Sequence, residues 1–433
     1  MLQLNLKENI KADLVFLTIP SREQQVLQLL SSLSSLNPKK YNLVFVCNTE
    51  KNKEAEEFTQ RVIKNSNLKL KTQIIYNSEK TIPTGRNKGL LKSISNMKKG
   101  TRLTYIIDDD ILIHKPEKLF SFLEQGLQYT AFVSYPSFHV SGLSKTKSRQ
   151  ELNKIIKEIQ EGNLEKDCLE YMSLEKPRNY TPFKGQKYEI ARVLYGHVHG
   201  NLLLFLTKTL EEIKNNFDEE HILDPLREWY GEWTELNYRL QRFGLIGGYF
   251  YRSSNNRDHL DNANEWGLII HNNLEVSDSP TRTMATRNTN MLKSYIYLAI
   301  ESNIVPLDIP QEELMDRFIK LLDCDYRFLK KDRRELAKLL QLRYSTKKYL
   351  FGKENISHNQ FIKRRKKIIL NILKEIFTNK ELHSVLVKKK MNYENAPFNL
   401  APFEQLSTFK FDEVLRHQND LLKPFREDVF KNE

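Results

Sequence analysis

The sequence predicts an α/β fold: a mainly parallel sheet flanked by helices over about residues 1–284, followed by a mostly α-helical, basic domain over 285–433. Three observations carry this reading. Apolar strand candidates alternate with segments of helical spacing from the N-terminus to residue 107. An apolar run at 102–107 ends abruptly in Asp108, Asp109 and Asp110, then turns apolar again at Ile111. From about residue 285, helical periodicity replaces the strand-like runs.

The elements justify themselves in order. Residues 13–19 are an apolar strand candidate closed by Pro20. Val26, Leu29, Leu30, Leu33 and Leu36 then recur at the spacing of one helical face until Asn37-Pro38 ends it. Residues 41–47 make a second strand, 51–64 a charged helix and 71–76 a third strand. A helix from about Arg86 to Met97 begins beside Pro83 and Gly85 and stops before Gly100, and the strand 102–107 delivers the Asp triplet. Such units form right-handed crossovers whose ligands bind at the carboxyl ends of the strands, where 18–22, 48–50 and 108–110 converge. A helix at 117–127 and a strand at 129–135 follow. Residues 141–190 are polar and weakly periodic, an expected insertion of helix and loop. Apolar order returns at 193–206, a helix runs from Trp229 to Gly244, and 245–251 is a strand candidate. In the C-terminal part, Leu314, Phe318, Leu321 and Leu322 define one helical face, and Ile369, Ile372, Leu373 and Ile376 another.

Three adjacent acids inside an apolar segment repel one another unless cations offset them. A solvated turn would carry Gly, Pro, Asn or Ser, whereas apolar residues press in here from both sides. An acidic tip on a buried strand suits Mg²⁺ or Mn²⁺ held together with substrate phosphates.

Composition narrows the class. With 39% hydrophobic and 28% charged residues the chain is of ordinary globular character. It has no apolar run long enough to span a bilayer and shows no secretion signal. Cys47, Cys168 and Cys324 are odd in number and widely spaced, which argues for a reducing, cytoplasmic compartment and against structural zinc. The net charge of +13 is concentrated at 331–370, where 13 Lys and Arg face 3 Asp and Glu. That density suggests an anionic partner, nucleic acid or a membrane surface at the inner face, although a solvated helix face accounts for it equally.

With these residues in hand, the first two-thirds resembles a family 2 glycosyltransferase with the GT-A nucleotide-sugar-binding fold. The opening strand into Thr18-Ile19-Pro20-Ser21-Arg22 looks like the family's first strand and loop. Thr84-Gly85-Arg86-Asn87-Lys88-Gly89 resembles its Ala-Arg-Asn-x-Gly segment, and Asp108-Asp109-Asp110 matches the Asp-x-Asp signature. Gly231-Glu232-Trp233-Thr234-Glu235-Leu236, with Arg239 and Gly244 after it, resembles the helix that carries the catalytic base. The resemblance implies metal-dependent transfer of a sugar from a nucleotide-sugar donor to a glycan, lipid-linked or other hydroxyl-bearing acceptor. It places Asp108 at the ribose or metal, Asp110 on the metal and His259 in the metal shell or on a phosphate. Pro20, Arg22, Asn48, Glu50, Arg86 and Asp109 line the donor, with Asn48 or Glu50 near the nucleobase where the family often has Asp. Arg86 neutralises phosphate or braces the Asp cluster.

The base is the largest departure. A gapless match puts the family's base Asp on Trp233, which cannot take a proton. Glu232 is the first candidate and Glu235 the second; at i and i+3 both could share one helix side, with Arg239 as an ion-pair partner for Glu235. A retaining enzyme, in which the leaving phosphate serves as base, stays open. His197 and His199 lack a third zinc ligand nearby. Phe183, Tyr188, Tyr195, Trp229, Tyr230 and Trp233 divide between core and a sugar-stacking wall. A nucleotidyltransferase would open with a Gly-rich phosphate loop, which Ile19-Pro20-Ser21-Arg22 lacks. A nucleic-acid binder or nucleic-acid-directed transferase would rest on 331–370 alone.

Overall fold

The structure is a computed structural model that describes residues 6–134, 138–140, 169–171, 189–193, 202–216, 221–227, 232–251, 268–271, 284–301, 307, 309–323, 357–398 and 408–431. Its centre is an eight-stranded sheet in the order β3-β2-β1-β4-β10-β6-β11-β9. The strands are β1 (Lys11–Thr18), β2 (Tyr41–Cys47), β3 (Lys71–Tyr76), β4 (Thr101–Asp108), β6 (Phe132–Ser134), β9 (Glu189–Val193), β10 (Leu202–Leu206) and β11 (Gly247–Tyr251). Six of the eight run one way; β10 and β9 oppose them. The expected mainly parallel sheet flanked by helices is therefore present. A second, four-stranded sheet joins β5 (Ile111–His114), β12 (Leu268–His271), β7 (Phe138–Val140) and β8 (Leu169–Tyr171).

The central strands are apolar throughout because both faces are covered. Along β1 and β2, Leu14, Phe16, Leu43 and Phe45 point into one core, which also takes Val26, Leu29, Leu30 and Leu33 of α1 (Glu23–Ser32) and Phe58 and Val62 of α2 (Lys53–Asn65). The alternate residues Val15, Val44 and Val46 face the other way, beneath α3 (Ile82–Asn96). That side of the sheet continues through Leu90, Ile106, Leu203 and Phe205 to Leu210 and Ile213 of α5 (Thr207–Asn216) and Trp233, Leu236 and Leu240 of α6 (Glu232–Arg242). α4 (Pro116–Gly126) returns to the first face through Leu119, Phe120 and Leu123.

One expectation needs correction, and the insertion is described only at two short stretches. Helix α3 starts at Ile82, four residues before Arg86, because Thr81 caps it and Pro83 fits the first turn, where a proline's missing N–H costs nothing. The described parts of the 141–190 insertion, Leu169–Tyr171 and the start of β9, are strands and not helix. Three-residue strands leave no periodicity to read.

The C-terminal region is helical. α7 (Met284–Glu301), α8 (Gln311–Asp323), α9 (His358–Thr378) and α10 (Lys380–Glu394) share a core of Leu292, Ile296, Leu314, Ile369, Ile372, Leu373, Ile376 and Leu386. α11 (Thr408–Val429) instead packs on the large sheet, with Leu422 in one of its cores and Val429 and Phe430 in the other. Among the described residues, no helix is long and apolar enough to cross a membrane.

Candidate active site

The strand register brings the expected residues to one edge. Leu17 pairs with Asp108 and Thr18 with Cys47, so β1, β2 and β4 end at one level. Beyond β1 a 3₁₀ turn, Pro20–Arg22, swings Arg22 over the tip of β4, where its Nη1 lies 2.5 Å from Asp109 Oδ1 and 3.5 Å from Asp110 Oδ2. Helix α3 approaches from the other side. A Cβ at Gly85 would come 2.5 Å from Leu17 Cδ1, and one at Gly89 would run into Val15. These glycines let α3 press onto the strands, and that contact carries Arg86 to the carboxylates.

Arg86 joins two parts of the site. Its Nη2 donates to Asp108 Oδ1 at 2.5 Å and its Nη1 to Glu232 Oε1 at 2.5 Å. The guanidinium carbon sits 4.9 Å from the centre of the Trp233 ring, a cation–π contact that holds its plane. Trp233, where the sequence resemblance puts a base, is thus a mostly buried support beneath Arg86. Asn87 fixes the neighbouring backbone: its Oδ1 accepts from Ile222 N and Leu223 N, and its Nδ2 donates to Leu223 O.

Four carboxylates, Asp108, Asp109, Asp110 and Glu232, meet only two guanidinium groups in these contacts. A divalent cation is a counter-charge that such a group of carboxylates can also take. Asp109 faces inward, and burial together with the Asp110 charge beside it raises its carboxyl above the ordinary range, against the opposing pull of Arg22 and Thr18. Asp108 and Asp110 keep 22% of their side-chain surface exposed, against 8% for Asp109. Among the described residues no three His, Cys, Asp or Glu side chains converge to cage a metal. Two outward carboxylates on one tip nevertheless fit Mg²⁺ or Mn²⁺, which bind one or two carboxylates and complete their shell with phosphate and water.

The other candidates are placed as follows. Pro20 opens the turn that carries Arg22. Asn48 is buried, and its side chain is occupied internally: Nδ2 donates to Lys80 O at 3.0 Å and Oδ1 accepts from Asn77 Nδ2 at 2.7 Å. Glu50 is exposed beyond β2. Glu235, one turn below Glu232, is fully engaged beneath the site. Arg239 Nη2 donates to its Oε2 at 3.0 Å, and Tyr393 Oη donates to its Oε1 at 2.7 Å. His259, His197, His199, Phe183, Tyr188, Tyr195, Trp229, Tyr230 and the stretch 331–356 lie outside the described residues. The Cys47 thiol is buried and pushed up to about 12 by that burial, far from a nucleophile's range. Asn87 and Tyr393 escaped the sequence reading; only the Arg-Asn pair in the α3 motif hinted at the first.

No protein-family model and no curated protein sequence matches this chain. Among solved structures, the chain is similar to S. aureus TarS 1-349 in complex with UDP-GlcNAc, at 11% identity over 88% of this chain and 89% of that one, with a TM-score of 0.42. It is similar to GalNAc-T7 with UDP, GalNAc and Mn²⁺, at 14% identity over 87% of this chain and 59% of that one, with a TM-score of 0.42. It is also similar to the mannosyltransferase PcManGT from Pyrobaculum calidifontis in complex with GDP-Man and Mn²⁺, at 9% identity over 88% and 86% of the two chains, with a TM-score of 0.38.

Proposed function

We propose that this protein is a metal-dependent glycosyltransferase that moves a sugar from a nucleotide-sugar donor to a hydroxyl-bearing acceptor, with inversion at the sugar carbon. The observation that carries this is the double grip of Arg86, which ties the outward carboxylate tip to the carboxylate of Glu232 through one guanidinium. Donor phosphates and acceptor hydroxyl would meet on either side of that link. In the family resemblance the carboxylate tip is the place of the Asp-x-Asp acids, and Glu232 stands next to the place of the base, which falls on Trp233.

Asp108 and Asp110 would hold Mn²⁺ or Mg²⁺, which when bound offsets the charge on the leaving diphosphate. Arg86 and Arg22 contribute fixed positive charge beside it, at no reorganisation cost during transfer. Glu232 sits at the first turn of α6, where the helix dipole favours a carboxylate, and accepts the acceptor's proton as the sugar carbon is attacked. Glu235, locked by Arg239 and Tyr393, is the weaker base candidate. The exposed Lys363, Arg364 and Lys367 of α9 offer an anionic acceptor or surface a docking place.

The test is a thermal-shift panel of UDP, GDP, CMP and TDP and their sugar conjugates, with and without Mn²⁺, on wild type and Asp110→Ala. One nucleotide should raise the Tm only when both the metal and Asp110 are present; at a hundredfold excess over Kd the gain is about 2.7 kcal/mol. A folded protein that no nucleotide stabilises under any metal condition overturns the proposal.

A further inference from the structure

Behind the site lies a second, buried cluster of charges. Arg227 is 1% exposed; its Nη2 donates to Glu301 Oε2 at 2.5 Å and its Nε lies 3.0 Å from Asp224 Oδ2. Lys389 of α10 reaches the same Asp224 oxygen at 2.8 Å. Next to this group, Arg239 and Glu235 pair at 1% and 2% exposure, and Arg239 Nη2 also donates to Ile222 O at 2.6 Å. Tyr393, from the last turn of α10, closes the cluster. Its hydroxyl donates to Glu235, its ring meets Tyr238 edge-on at 5.8 Å, and Arg242 lies 4.6 Å over its face. Residues 235, 238, 239 and 242 lie along α6, so the C-terminal helices grip the helix over most of its length.

We infer that Tyr393 is a positioning residue for Glu232, acting through Glu235 to set where α6 stands; this rests on the reading of Glu232 as the base. The Glu235 carboxylate accepts from Arg239 within its own helix and from Tyr393 outside it. Among these contacts, only the Tyr393 hydroxyl fixes Glu235 to another element. A hydrogen bond to a charged, buried acceptor is among the stronger single contacts in a protein. Glu232 and Glu235 are one turn apart on a rigid rod, so a shift at one is carried to the other. Proton abstraction is sensitive to such shifts, since a displacement near 1 Å can cost about a hundredfold in rate.

The experiment uses the full chain with Tyr393→Phe, which keeps the ring packed on Tyr238 and Arg242 and deletes only the hydroxyl. Tyr238→Phe is the control: it removes a buried hydroxyl that accepts from Arg242 Nη2 at 2.6 Å but is not the one on Glu235. Hydrogen exchange is followed at the amides of 236–239, which bond back to 232–235. Turnover of the donor identified by the nucleotide panel is measured alongside. With Tyr393→Phe, exchange there should quicken about tenfold, as loss of one charge-assisted bond implies. The kcat should fall at least about tenfold with donor KM within about twofold, and Tyr238→Phe should change kcat far less. Unchanged exchange in Tyr393→Phe overturns the inference, as does an equal kcat loss in both variants or a loss confined to KM. If wild type turns over no donor, the transferase reading fails instead, and the exchange result still decides whether Tyr393 holds α6.

Discussion

Helix α6 joins two clusters made of the same ingredients, carboxylates and guanidinium groups, one turn apart. At the strand tips, the side chains of Arg22, Arg86, Asp108 and Asp110 keep 13–22% of their surface exposed. Behind them, the side chains of Arg227, Asp224, Glu301, Arg239 and Glu235 are at most 2% exposed, and Lys389 joins Arg227 and Arg239 opposite the three acids. The first cluster can exchange a partner for water, a cation or a phosphate. The second cannot, because any departure strands a charge away from solvent. Ion pairing alone therefore does not mark a binding site. The path to solvent is what separates the two clusters.

The comparison breaks most sharply at Glu232. Glu232→Gln keeps the shape beside Arg86 and removes the proton acceptor, so kcat should drop by about 10²–10⁴ while nucleotide affinity measured by calorimetry stays unchanged. An equal loss in affinity would move Glu232 from base to donor ligand. Arg227→Met attacks the closed cluster, leaving Glu301 without its guanidinium and Asp224 with Lys389 in its place; the expected cost is about 3–5 kcal/mol in urea unfolding. Asp108→Asn, at the open tip, should cost less than about 1 kcal/mol in the same assay. Equal costs would erase the distinction between the clusters.

The smallest effect concerns His114 on β5, whose Nε2 is buried without a hydrogen-bond partner. Burial, and the Lys115 charge next to it, push its imidazole down to about 4. The unfolded chain, with a histidine near 6.5, takes up a proton below that pH that the fold refuses until about 4. Stability should therefore fall as pH drops from 7 to 5, by an amount that the partial exposure of the ring reduces. His114→Gln should flatten that slope in urea midpoints taken at the two pH values.

What the sequence disclosed depended on how far apart the interacting residues lie. Strands β2 and β3 stand where their apolar runs put them, and Val26, Leu29, Leu30 and Leu33 are buried as their spacing requires, because both signals are local. The triplet at 108–110 was legible because an acid run inside apolar sequence conflicts with its surroundings. Arg86 was legible only as a phosphate or Asp partner. Its second hand, on Glu232, bridges 146 residues and leaves no pattern in the chain. The same holds for Tyr393 and Glu235, 158 residues apart, and for the short strands of the second sheet. The early start of α3 was hidden by Pro83, which reads as a breaker until a cap at Thr81 makes it a first-turn residue.

The last helix gives the molecule a temporal property. Gln418 supplies the acceptor for Ile246 N at 2.5 Å and donates to Tyr129 O at 3.2 Å, Arg426 Nε donates to Leu127 O at 3.0 Å, and Phe430 pairs with Leu6. Tyr129 and Leu127 are made some three hundred residues before their partners, as separations of 289 and 299 require. On a ribosome adding about 5–20 residues per second, those backbone groups wait on the order of fifteen seconds to a minute for their partners. The growing chain must keep that side of the sheet hydrated or sheltered meanwhile. That side of the large sheet is closed by residues made some three hundred positions later, so the pace of translation sets the earliest moment at which these contacts form.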